Sequence, residues 1–410
     1  MAEFFKALDQ FPVTLKHWLM GHASGVLPEW ALPLVSAALS ITPILAVFPL
    51  MFALTTVIER KGLGRIQNRI GPNRVGIPLT DIRLWGFGQF IADGIKSLIK
   101  EDVVPRAADK VVHFLAPIAL LIPVLLTYSV LPFGRNMVPL DLPQTGLLFF
   151  FAVGASTELS VFMAGWSSRN KYSLLGAMRA IAQMVSYEIP LILSSLTVVM
   201  MAGTLSLTGI VESQADVRFG FLHSWHLFTP WGFVGFLLFL TAAAAEANRT
   251  PFDLPEAESE IIAGYFTEYS GFKFAIFFLA EYLGLFAMCG LGITLFLGGW
   301  LSPVNIAPFT WIPSWCWFLG KLSALIVLFI WLRGTLPRLR TDQLMGFAWK
   351  FLLPMTLINL VVAALWHMSG GAVHVVIRWG VGFAMLAIPY WLLGRGFEAS
   401  VGKRIYRYAN

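Results

Sequence analysis

Charge is what this sequence has least of: Asp, Glu, Lys and Arg make up 13% of its 410 residues, whereas 57% are hydrophobic. So little charge cannot clothe a set of water-soluble domains, and the chain falls in the membrane class. Cysteine is nearly absent. Cys289 and Cys316 stand far apart and in no CxxC spacing, which speaks against an iron–sulfur cluster or a zinc knuckle. None of the seven histidines lies deep within an apolar stretch, where a membrane haem would need its ligands. Electron carriers, if the chemistry requires them, must therefore sit on other chains. Internal repeats, low-complexity tracts and Gly/Ser linkers are missing too. The first 33 residues mix Glu3, Lys6, Asp9, Pro12 and Lys16 without a basic stretch leading into a clean apolar core, so they read as an amphipathic surface extension and not as a cleavable leader.

What is present is a succession of continuous apolar runs. A span needs about 20 such residues to cross about 30 Å of hydrocarbon. Runs that are continuous and not alternating call for helices instead of a barrel. Nine runs qualify, at 34–58, 111–131, 145–165, 178–202, 228–247, 273–299, 316–333, 347–366 and 372–393. The expected fold is all-α: a polytopic integral membrane helix bundle of about nine transmembrane helices. Lys and Arg gather between Arg60 and Lys110, Arg169 and Arg179, Arg333 and Lys350, and from Arg395 onward, while Arg135 and Arg218 are exceptions in the other loops. The positive-inside rule then puts the N-terminus outside and the C-terminus in the cytoplasm. The same rule accounts for the net charge of +6 without any nucleic acid. Within the first cytoplasmic loop, Phe87, Phe90, Ile91, Ile95, Leu98 and Ile99 recur at three- and four-residue steps, with Asp93, Lys96 and Lys100 between them. That pattern predicts an amphipathic helix lying along the interface.

Three features carry chemistry. The fifth loop, Ala245 to Ser270, is acidic where its neighbours are basic, with Asp253, Glu256, Glu258 and Glu260 at the predicted start of a helix and Tyr265, Phe266, Glu268 and Tyr269 behind them. Asp253 and Glu256 make a capping box, so a well-capped surface helix is one reading. An acid-and-aromatic pathway at the bilayer rim is the other. Arg249 is the only Arg or Lys between Arg218 and Lys273, which singles it out to hold these acids in their working charge state. Inside the spans lie Glu158, Glu188, Glu246, Glu281 and Lys321. Ionisable groups at such depth usually face protein or water and do work, although Glu246 and Glu281 lie near helix ends and Lys321 can snorkel. In the fourth span Arg179, Gln183 and Ser186 share one face. Finally, the first loop opens on Glu59, Arg60 and Lys61 and turns at Gly71 and Pro72 between Arg69 and Arg74, as a topology signal or as a docking surface for a soluble partner.

Motifs in order along the chain, ERKGLGRIQNRIGPNRVG (59–76), ADGIKSLIKE (92–101), GWSSRNKYSLLGAMRAIAQMVSYEI (165–189), AEANRTPFDLPEAESEIIAGYFTEYSG (245–271), FFLAEY (277–282) and WLRGTLPRLRTDQLMGFAWKFLLP (331–354), closely resemble the quinone-channel membrane subunit of respiratory complex I. The resemblance implies a non-redox subunit of a proton-translocating NADH–quinone oxidoreductase in the bacterial inner membrane, an organellar inner membrane being the alternative. Quinone is then the substrate. FMN, NADH and iron–sulfur clusters sit on partner subunits and no cofactor on this chain. The implied partners are the peripheral-arm quinone-site and iron–sulfur subunits and, within the membrane arm, small and antiporter-like subunits.

By motif match, Arg60, Arg69, Asp93, Lys96, Arg179, Glu188, Arg249, Asp253, Glu256, Glu258 and Glu260 fall on the quinone channel or its junction with a chain of acids. Glu246, Glu268 and Glu281 match proton-linked glutamates. Glu158 receives no role from the resemblance. The chain divides into a surface extension (1–33), an eight-span quinone-channel core (34–366) and an additional span with a cytoplasmic tail (367–410). Two rival readings remain: the equivalent subunit of a membrane-bound hydrogenase, and a secondary transporter, which the lack of inverted repeats disfavours.

Overall fold

The computed structural model describes residues 2–25, 28–76, 83, 85–218, 222–254, 263–369 and 374–400. Its helices follow the apolar runs. In chain order they are α1 (Ala2–Ser24), α2 (Leu32–Ile66), α3 (Gln89–Ile99), α4 (Lys110–Thr127), α5 (Gly146–Ser167), α6 (Lys171–Ala202), α7 (Leu207–Ser213), α8 (Pro230–Glu246), α9 (Gly271–Phe296), α10 (Ser314–Thr335), α11 (Thr341–Met368) and α12 (Val375–Ser400). Eight of them are long and apolar enough to cross a membrane, while α8 has 17 residues. At 1.5 Å per residue α8 reaches about 25 Å, close to the thickness of a bilayer core. All nine expected runs are therefore helical. The expected amphipathic helix is α3. Among the described residues the only strand pairing is the two-residue ribbon of Val217–Arg218 with Leu222–His223.

Prolines 43, 49, 117, 123, 190 and 389 lie inside helices. A bundle tolerates this because neighbouring groups re-satisfy the freed carbonyls. Between apolar helices in lipid, association rests on close packing, and small residues supply it. The run Ala242–Ala245 near the end of α8 is buried, and α6 packs beside it. Gly176 of α6 meets the backbone of Gly264, where an added Cβ would stand 2.6 Å from the Gly264 Cα. The turn at 264–266 can sit against α6 only because position 176 lacks a side chain. The centre of the bundle is α9, whose Phe277, Leu283, Phe286, Leu291 and Phe296 are fully buried.

Lys321, the cation inside the seventh span, pairs with no carboxylate among the described residues. Its Nζ donates to the carbonyls of Leu297, Gly299 and Leu301 at 2.6, 2.8 and 2.7 Å and lies 4.2 Å from the centre of the Trp225 ring. These carbonyls belong to the turn that ends α9, which helical bonding leaves without donors.

Candidate functional site

Two arginines leave their helices through the same local device. At the end of α8, Asn248 adopts a left-handed conformation (φ 49°); its N–H donates to Ala245 O and that of Arg249 to Ala244 O. At the end of α2, Asn68 (φ 55°) and Arg69 repeat the arrangement on Arg65 O and Gly64 O. This is a Schellman stop, with asparagine replacing the usual glycine because its short polar side chain tolerates the left-handed region. Each stop turns the chain at the arginine, and the packing around it decides where the side chain goes. Arg249 turns into the protein, whereas Arg69 stays at the surface and donates to Gln67 Oε1 at 2.8 Å.

Inside, Arg249 joins a knot of charge. Glu59, 5% exposed, accepts a hydrogen bond from the Tyr282 hydroxyl at 2.6 Å and an ion pair from Arg333. The Arg249 guanidinium lies over the Tyr282 ring, 3.8 Å from its centre, a cation–π contact away from water. Burial opposes the charge on Arg249, but Tyr282, Glu59 and Glu281 outweigh it and hold the group protonated above the ordinary arginine range. Its Nε and Nη2 are buried without a hydrogen-bond partner. Beside the knot is a cavity of about 10 Å³, room for about one water.

The fifth loop is clamped by α6. Gln183, fully buried, donates through Nε2 to Ala245 O (2.7 Å), Asn248 Oδ1 (3.2 Å) and Phe252 O (2.6 Å). Arg179 donates to Thr341 Oγ1 at 2.7 Å, and the Tyr187 hydroxyl to Leu344 O at 2.9 Å, so the same helix also holds the start of α11. Asp253, buried, pairs with Arg338 at 2.7 Å. Of the acids that Arg249 was expected to hold, Asp253 pairs with Arg338 and Glu268 with Asn170, while Arg249 faces Glu59 and Glu281. Glu256, Glu258 and Glu260, with the helix expected there, lie outside the described residues.

Within the membrane-spanning helices, Glu246 and Glu281 line one cavity of about 70 Å³ between α4, α5, α6, α8 and α9. Glu246 also lies within electrostatic reach of Glu188 and Glu158, and Glu158 within that of Glu188. Three carboxylates on three helices thus act on one another. Glu281 shares the cavity with Glu246 and faces Arg249 of the knot. Glu268 stands apart and accepts from Asn170 Nδ2 at 2.7 Å. Next to it, Tyr269 stacks on the His113 ring at 4.0 Å and shares a hydrogen bond with Ser167; burial pushes its phenol up to about 12 against that bond.

The remaining first-loop residues lie at the surface. Arg60 pairs with Asp93 at 2.7 Å, Gln89 Nε2 donates to Asp93 Oδ1 at 2.9 Å, and Lys61 lies 5.2 Å from the Phe87 ring centre. Together these tie α3 to the end of α2, while Lys96 is exposed.

Glu59, Tyr282 and Arg333 were not among the residues that the sequence singled out as a site, and Glu158 was left without a role. For Glu59 a signal was available: Ile44, Phe48, Thr55 and Glu59, all buried, follow one another at steps of four and seven, one helical face ending in a carboxylate. Glu158 had no comparable signal, because only the assembly of α5 with α6 and α8 brings it to the other acids.

The sequence model of the NADH dehydrogenase family matches residues 39–364. The chain is 47% identical over 346 residues to the H-type subunit of NADH-quinone oxidoreductase from Dehalococcoides mccartyi, covering 84% of this chain and 91% of that one. It is 50% identical over 306 residues to the protein of the same name from Geobacillus kaustophilus, covering 75% and 86%.

Proposed function

The chain belongs to the NADH dehydrogenase family, as an H-type subunit of NADH-quinone oxidoreductase, and on that premise we propose that it forms the quinone access channel where the membrane arm meets the peripheral arm and couples quinone reduction to proton translocation. It is a multi-pass protein of a bacterial membrane. Its N-terminus is outside, and its basic loops and C-terminus are cytoplasmic, facing the redox subunits. The observation that carries the reading is the position of Glu281, which faces Arg249 of the charged knot on one side and shares a cavity with Glu246 on the other.

A reduced quinone takes up two electrons and two protons, and the electrons come from partner subunits. This chain's residues guide the quinone and move charge. Arg60, Arg69, Asp93, Lys96 and Arg179 line the approach on the cytoplasmic side, with Asp253 and, in the segment outside the described residues, Glu256, Glu258 and Glu260 at the junction. When the charge near the Glu59–Arg249 knot changes, the balance at Glu281 changes with it, and the coupled acids Glu246, Glu188 and Glu158 redistribute protons. Glu268 takes part through the polar contacts at the start of α9.

A quinone with a photoreactive tail should label peptides near Glu59–Arg69 or Arg179–Glu188 in the assembled complex. If all the label falls on other subunits, the channel belongs elsewhere. Glu281→Gln, measured in native membranes, should lower the protons translocated per quinone reduced while electron transfer to an artificial acceptor on the redox arm persists. An unchanged ratio would remove Glu281 from the relay.

A further inference from the structure

A third cavity, about 570 Å³, lies between α1, the first half of α2 and the segment 133–139, on the far side of Phe48 from the Glu59 knot. That volume falls within the roughly 300–1,000 Å³ of a small-ligand site. Part of its wall comes from α1, which precedes residue 39, where the family match begins. From its chemistry we propose that this cavity holds one anionic phospholipid, its acyl chain in the slot and its phosphate on Lys16 and His17.

The floor is apolar: Ile44 and Phe48 are buried beneath it, with Leu39 and Val47 along its length. A slot of this depth opening from the outer face of helices in a bilayer is filled by an acyl chain more readily than by water, which finds few polar partners there. The mouth is basic. Lys16 is half-buried, its Nζ donates to Ser40 Oγ at 2.7 Å, and among the described residues no carboxylate pairs with it. His17 is exposed beside it. Asp9, the acid nearest along α1, is already committed: its Oδ1 accepts from the Ser314 N–H and from the Ser314 hydroxyl, both at 2.6 Å. That contact also caps α10 and pins α1 at a fixed distance from the bundle. Trp315 and Leu319 of α10 complete the wall. Lysine, histidine and an apolar slot together match a glycerophospholipid with net negative charge.

The test uses the assembled complex in phosphatidylcholine vesicles containing phosphatidylglycerol with a photoreactive acyl chain. Label should appear in peptides covering residues 12–20 and 36–48. Phosphatidylcholine with the same photoreactive chain should label them more weakly. Lys16→Gln should reduce phosphatidylglycerol labelling about fivefold, the loss of one lysine attraction at a membrane surface. Leu39→Trp, which fills the slot, should abolish it, with assembly checked on native gels. Equal labelling by both lipids, no label in these peptides, or displacement by a long-tailed quinone would each overturn the proposal. Should the Trp variant fail to assemble, the lipid comparison in the wild type and Lys16→Gln still decide.

Discussion

Arg249→Ala is expected to leave the complex assembled while quinone reduction falls by at least about tenfold, a barrier change of only about 1.4 kcal/mol. The fall follows from what Arg249 touches. Removing one partner of a buried charged network can cost about 3–5 kcal/mol, because the remaining charges are left uncompensated. Here Glu281 would lose its described cation and the Tyr282 face its guanidinium. Assembly survives because Glu59 keeps its ion pair with Arg333 and its hydrogen bond from Tyr282. Arg249→Lys should rescue only in part, since an ammonium cannot lie flat on the Tyr282 ring as a guanidinium does. If Arg249 merely anchored α8 at the membrane surface, lysine would substitute fully and alanine would change little. The measurement is made in native membranes, with assembly followed on gels and quinone and an artificial acceptor of the redox arm assayed separately. Full quinone activity in the alanine variant would take the knot out of the mechanism.

Lys321→Met should act on stability instead. It takes from the carbonyls of Leu297, Gly299 and Leu301 the donor they share. Hydrogen bonds to a charged group contribute about 1.5–3 kcal/mol each, so losing three is enough to disrupt the end of α9. The expected result is a large loss of membrane-inserted chain and of assembled complex, with Lys321→Arg retaining part of it. A proton-carrying lysine would behave differently: the methionine variant would assemble normally and lose only proton translocation. The amount of assembled complex on native gels therefore separates capping from transport.

Much of this architecture was legible in the residues. The run at 178–202 became α6, the run at 273–299 became α9, and the three- and four-residue steps around Asp93 became α3, because hydropathy and amphipathic period are local properties that a helix expresses without help from distant residues. The polar face of α6 was legible for the same reason: Gln183 and Ser186 are buried where their spacing placed them. The Asn-Arg pairs at 68–69 and 248–249 were also present to be read as helix stops. What could not be read was which charge meets which. Glu59 finds Tyr282 and Arg333 at separations of 223 and 274 residues, and Asp253 finds Arg338 at 85. Lys321 stood among the intramembrane groups expected to do work, yet it caps a turn, because the backbone carbonyls that satisfy it carry no signature in the sequence.

By itself, then, the sequence determined the helical class, the positions of the spans and the presence of buried charge, since each follows from a sum over neighbouring residues in a solvent that demands internal hydrogen bonding. The pairing of that charge was decided by tertiary structure alone. Several arginines and several acids are chemically interchangeable as partners, and only the packing of α2, α8, α9 and α10 selects Glu59 and Tyr282 for Arg249 and leaves Asp253 to Arg338.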